Sequence, residues 1–84
     1  MLIEFYGDEC LHCARMAPLV EKLKEEGIEI TQYEVWNNEE NARKMTEYSR
    51  GLCEGVPFFV NTETKSFICG EVSYEELKAW VTGT

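Results

Sequence analysis

The sequence predicts an α/β fold, a four-stranded mixed sheet with helices on both faces in the order β-α-β-α-β-β-α. Three observations predict it. Short apolar runs alternate with stretches of helical periodicity from Leu2 to Ser49. Two further strand-like runs, "VPFFVN" and "KSFICG", are separated only by the polar "TET" and so form a hairpin. Helical spacing then returns after Ser73. At 84 residues the chain is expected to form one small domain over 1–84.

Each element has its own signal. "LIEFY", Leu2 to Tyr6, reads as a buried strand carrying one acid, Glu4. A helix is expected from about Cys10, with Met16, Leu19, Val20 and Leu23 on its apolar face and Glu21, Lys22, Lys24, Glu25 and Glu26 opposite. Lys22 and Glu26 are one turn apart and can pair weakly. Gly27 suits the left-handed position that ends a helix. "IEITQYEVW", Ile28 to Trp36, reads as a second strand with an irregularity at Thr31–Gln32, where the alternation changes phase. Asn37 or Asn38 caps a helix to Ser49 that turns Ala42, Met45 and Tyr48 inward. "RGLCEG" is a connecting loop. Ser73 and Glu76 have capping-box spacing and start a last helix with Leu77, Trp80 and Val81 on its apolar side. The first β-α-β unit is expected to be a right-handed crossover between parallel strands.

Composition excludes several classes of function. The net charge is −8, from 16 acidic and 8 basic residues. Nucleic-acid binding needs Lys and Arg to neutralise phosphates, and an anionic membrane surface needs the same. Neither partner is expected, and no apolar run is long enough to span a bilayer. The opening "MLIEFYGDE" has neither a basic start nor a cleavable apolar segment, so the expected location is the cytoplasm. There, clustered cysteines are more often reactive or metal-binding than structural.

Two of the four cysteines stand three apart in "DECLHCARMAP". Cys10 and Cys13 could be a local disulfide, half of a metal site or a catalytic thiol pair. The local disulfide closes a loop too small to add much stability. A metal or iron–sulfur module would recruit Cys10, His12, Cys13 and Cys53, but there is no second close cysteine pair. The catalytic reading has a physical basis. A helix start offers unpaired N–H groups and a positive dipole end, which can draw a thiol pKa from about 8.5 into the range of about 3.5–7.5. Cys10 at the tip is then the exposed nucleophile and Cys13, one turn in, the more buried resolving thiol.

A CxxC opening the first helix of this pattern resembles the thioredoxin superfamily, at glutaredoxin size. Other residues agree along essentially the whole chain. Pro18 falls inside the helix five residues after Cys13, "GVP" at 55–57 precedes the hairpin, Gly70 follows it, and Glu4 lies six residues before Cys10. The departures are Glu9 before Cys10, Leu-His between the cysteines, and Gly-Val-Pro where glutaredoxins have a glutathione-binding Thr-Val-Pro. The last argues against glutathione dependence.

The resemblance implies a thioredoxin-like fold and a thiol–disulfide oxidoreductase acting on protein disulfides. It implies no bound cofactor and recycling by a flavin- and NADPH-dependent reductase. The chain is expected to be a monomer. The resemblance further implies a cis bond before Pro57, with Leu11, Val56, Pro57 and Gly70 touching substrate, and a buried Glu4 relaying a proton to Cys13. His12 is expected to stabilise the Cys10 thiolate, while the carboxylate of Glu9 opposes it. Cys69 reads as a small buried apolar residue and Cys53 as a loop thiol of open reactivity; a bridge between them is left open. Trp36 and Trp80 read as packing residues.

Overall fold

In the computed structural model, which describes residues 1–83, the chain forms β1 (Leu2–Tyr6), α1 (Leu11–Glu25), β2 (Thr31–Glu34), α2 (Glu39–Ser49), β3 (Phe58–Asn61), β4 (Phe67–Cys69) and α3 (Tyr74–Thr82). The strands lie in the order β2-β1-β3-β4. β1 runs parallel to β2 and antiparallel to β3, and β3 pairs antiparallel with β4. This is the expected mixed α/β sheet.

Strand alternation divides the core in two. Ile3, Phe5, Phe58 and Val60 face α2 and pack with Val35, Met45 and Cys53. Phe59 faces the other way and packs with Met16, Val20 and Leu23 of α1 and Leu77 and Trp80 of α3. Both faces are thereby covered, which a sheet this small requires to bury its apolar side chains. Phe5, Phe58, Phe59, Leu23 and Leu77 are fully buried. Fully burying one such side chain contributes about 1.5–3 kcal/mol.

The helix ends follow local chemistry. Cys10 is the N-cap of α1, Asn38 accepts the Asn41 N–H at the start of α2, and Ser73 accepts the Glu76 N–H at the start of α3. Gly27, with φ +90°, follows α1 where a side chain would be strained. The hairpin turn is closed by Asn61, whose Oδ1 accepts the N–H groups of Glu63 and Thr64.

Several expectations change. β2 is shorter than Ile28–Trp36. The alternation does not slip: Ile28 and Ile30 join the α1/α3 cluster, whereas Tyr33 and Val35 join the α2 cluster. The apolar pattern changes phase because Gln32, polar and exposed, takes the next position on the Ile30 side of the strand, beside Glu4 in the β1–β2 register. The hairpin strands are shorter than their apolar runs. Glu26 pairs with Lys78 and Tyr74 rather than Lys22. The Lys22 ammonium instead lies 4.2 Å from the centre of the Tyr74 ring. Trp80 packs as expected, edge-on to Phe59. Trp36 is 55% exposed, although its indole lies against Gly7 so closely that a Cβ there would fall 2.3 Å from a ring carbon.

Candidate active site

The site forms where β1 gives way to α1. The Cys10 N–H donates to the Gly7 carbonyl at 3.2 Å, which turns the chain into the helix. Glu34, at the end of the neighbouring β2, fixes this turn to the following loop. Its carboxylate accepts the backbone N–H groups of Asp8 (3.1 Å), Trp36 (3.0 Å) and Asn37 (2.8 Å). Desolvation pushes the Glu34 carboxyl upward, but these N–H groups together hold it below the usual carboxylate range. Trp36 then lies over Gly7 from outside.

Cys10 and Cys13 form a disulfide with their Cα atoms 5.2 Å apart. Cys10 Sγ accepts the Cys13 N–H at 3.1 Å, so the helix cap is a sulfur atom. When the pair is reduced, that N–H and the dipole of α1 favour a thiolate at Cys10. The two cysteines are buried alike, 7% exposed for Cys10 and 6% for Cys13, so the expected contrast in exposure is nearly absent in the disulfide state.

The Val56–Pro57 peptide bond is cis, and the Val56 carbonyl oxygen lies 3.7 Å from Cys10 Sγ. Pro57 is buried, and its carbonyl accepts the Gly70 N–H at 2.8 Å. Val56 thus stands beside Cys10 from the other end of the chain, and Gly70 is bonded to the Pro57 that follows it. Leu11 is 61% exposed at the first position of α1.

Glu4 is 2% exposed and lines a cavity of about 250 Å³ together with Cys10 and Cys13. Burial raises its carboxyl above the usual range, partly offset by a hydrogen bond from Gln32 and by the charge of Lys24. Lys24 Nζ donates to Gln32 Oε1 at 2.5 Å, and Gln32 Nε2 donates to Glu4 Oε1 at 2.8 Å. A line of polar groups therefore runs from the protein surface to the acid under the disulfide.

His12 is exposed, and its Nδ1 lies 2.9 Å from Glu71 Oε1, with Arg15 3.6 Å from the same oxygen. The His12 hydrogen bond holds Glu71 below the usual carboxylate range. Among the described residues the histidine bonds to this carboxylate and not to a cysteine sulfur.

The ligand set of a metal module is not assembled. Cys53 is bonded to Cys69, and no group of three or more His, Cys, Asp or Glu among the described residues is arranged to hold a metal ion. Cys69 also differs from expectation: it is exposed on β4, not buried, and is linked to the buried Cys53.

A CxxC disulfide at a helix start, facing a cis proline across a mixed sheet, is matched by comparison with known families. The thioredoxin family model covers residues 1–83.

The chain belongs to the thioredoxin family.

It is therefore a member of a thiol–disulfide oxidoreductase family, with Cys-Leu-His-Cys at its CxxC position. No curated protein matches the sequence. No helix among the described residues is long and apolar enough to cross a membrane. Within this thioredoxin-family site, sequence reasoning missed Gln32, Glu34 and Glu71. Gln32 had a signal, the polar interruption of an apolar alternation. Glu34 and Glu71 had none, because their partners Asp8 and His12 are 26 and 59 residues away in sequence.

Proposed function

We propose that this single-domain, monomeric protein reduces disulfides of other proteins in the cytoplasm, through Cys10 as nucleophile and Cys13 as resolving thiol. The observation that carries this reading is the Cys10–Cys13 disulfide at the start of α1, with Cys10 Sγ on the Cys13 N–H and 3.7 Å from the Val56 carbonyl oxygen. The N–H supports a thiolate on Cys10 once the pair is reduced. The Val56 backbone beside it can pair with an extended substrate segment. Leu11, Val56 and Gly70 receive that segment, and Pro57, expected to touch substrate but buried, sets the Val56 backbone behind them.

The Cys10 thiolate attacks a substrate disulfide, forming a mixed disulfide and releasing one substrate thiolate. Cys13 must then lose its proton to attack the Cys10 sulfur. Glu4 accepts that proton, since its carboxylate shares the cavity with Cys13 and its raised pKa brings it closer to neutral pH. Cys13 attack forms the Cys10–Cys13 disulfide and frees the second substrate thiol. A flavin- and NADPH-dependent reductase returns the pair to the dithiol. The chemistry uses no bound cofactor.

His12 tunes the pair by placing a hydrogen-bonding ring beside the Cys10 end of α1. Replacing it with proline makes the Cys10–Cys13 disulfide less oxidising; an unchanged or raised potential in a redox titration rejects this role.

Trapping tests the central assignment. The Cys13→Ser variant should accumulate mixed disulfides with substrate proteins in cell extract, because the resolving step is blocked. Cys10→Ser should accumulate far fewer. Equal trapping by both variants would show that the roles of the two thiols are wrongly assigned.

A further inference from the structure

The second disulfide lies next to the segment that faces Cys10. Cys53 is buried in the α2 face of the core and shares a cavity of about 390 Å³ with Val56 and Trp36. Its partner Cys69 is exposed on β4, at the edge of the sheet. The loop between them and the cis proline starts with two residues of positive φ, Arg50 and Gly51, and ends at Val56–Pro57. Among the described residues, the backbone N–H groups of 53–56 make no bond to a backbone carbonyl. Besides the packing of Cys53 and Val56 on the α2 face of the core, the covalent tie to β4 holds this loop before Pro57 joins the sheet.

We propose that Cys53–Cys69 is a second thiol-exchange site, opened by an external thiol of the glutathione class, and that it governs how firmly the Val56–Pro57 segment is held. The second half rests on the function proposed above; the first does not. A thiolate attacks the sulfur of Cys69, the exposed member of the pair. The Cys53–Cys69 bond breaks, Cys53 leaves as a thiolate and takes a proton, and a mixed disulfide remains on Cys69. A second thiolate attacks the outer sulfur of that mixed disulfide. Cys69 leaves as a thiolate and is protonated, and the two external thiols depart as their disulfide. Two electrons have entered the protein, and the loop from Arg50 to Val56 is no longer tied to β4. Chemically, the site differs from Cys10–Cys13 in joining one exposed and one buried cysteine, where Cys10 and Cys13 are both buried.

The experiment has two arms. In the first, a Cys10→Ser/Cys13→Ser variant is equilibrated in glutathione buffers of rising reducing power, quenched in acid, alkylated and analysed by mass spectrometry. Two new thiols per chain should appear at Cys53 and Cys69 with the circular dichroism spectrum retained, and transient glutathione should be found on Cys69 rather than Cys53. A pair that stays closed until denaturant is added is a staple, and the proposal fails. In the second arm, protein-disulfide reduction by the unmodified chain is compared with that of Cys53→Ser/Cys69→Ser. A loosened loop must be ordered when substrate binds, so KM should rise by about threefold or more, with a smaller change in kcat. An unchanged KM overturns the control of the Val56–Pro57 segment. The first arm measures no activity, so it decides the exchange site even if the chain reduces no protein disulfide or the serine variant unfolds.

Discussion

The two disulfides lie on opposite sides of one sheet and differ in almost every respect that matters chemically. Cys10–Cys13 joins residues three apart at the tip of α1, with an N–H on its first sulfur and a buried carboxylate in the adjoining cavity. Cys53–Cys69 joins residues 16 apart, and Cys53 is packed among Phe5, Phe58 and Met45. Constraint of the unfolded chain grows with loop length, so the second bond does more for stability, by about 3 kcal/mol against about 2 kcal/mol in a chain-entropy estimate. Reactivity follows local electrostatics instead, and there the first bond has the advantage. The comparison shows that a disulfide's worth to the fold and its aptitude for exchange are set by separate features: span for one, surroundings of the sulfur for the other.

The largest effect should come from breaking the reactive pair. Cys10→Ser should reduce disulfide turnover to background in an insulin-type precipitation assay, while its urea midpoint in a reducing buffer stays close to that of the parent chain. Next in size, Cys53→Ser/Cys69→Ser should lower unfolding free energy by about 3 kcal/mol under oxidising conditions. Urea titration checks this, and a loss no greater than that from opening Cys10–Cys13 would erase the contrast in span.

Glu4→Gln sharpens the electrostatic side. It removes the proton acceptor proposed for Cys13 while leaving an oxygen for Gln32, and the resolving step should slow by about 10²-fold in stopped-flow measurements. Stability should move the other way. Burial raises the Glu4 carboxyl in the fold, so the folded protein holds that proton more tightly than the unfolded chain. Its stability contribution therefore falls as pH rises from the unfolded value through the folded one. The glutamine variant should match the parent at about pH 3 and be the more stable of the two near neutrality.

The smallest effect is expected at the surface. Glu71→Gln removes the carboxylate beside His12 and Arg15. Exposed ion pairs contribute little, so stability should not change measurably and the exchange equilibrium of Cys10–Cys13 should shift by less than about threefold. A shift as large as that from His12→Pro would make Glu71 an equal partner in tuning.

What the sequence revealed was local. Cys10 at a helix start, Gly27 at its end and Ser73 before Glu76 are decided within a few residues, and each stands where expected. The order of elements along the chain and the two-sided covering of the sheet were legible in the sequence, whereas the sheet order β2-β1-β3-β4 was not, and the thioredoxin-family pattern placed Glu4 in the interior. The bond between Cys53 and Cys69 was not readable, because it depends on the hairpin register that sets Cys69 opposite Phe58. The phase change in β2 was visible, but its cause lay in another strand: Gln32, itself exposed, reaches across to bond Glu4 of β1. Glu34 looked like one more surface acid in a chain with many, and its three backbone N–H partners come from two loops that only the fold brings together.

The contact between Trp36 and Gly7 gives the molecule an optical reporter at its most reactive end. The two indoles occupy unlike surroundings, Trp80 being 8% exposed beneath β3 and Trp36 55% exposed against the turn that leads to Cys10. Trp80 should emit at shorter wavelength and Trp36 at longer wavelength, so the emission spectrum carries two separable signals. The red component belongs to the loop that Glu34 holds, and the blue one to the α3 side of the core. Light emitted at the red edge therefore follows events around the reactive cysteines without any added label, while the blue edge records whether the domain behind them is intact.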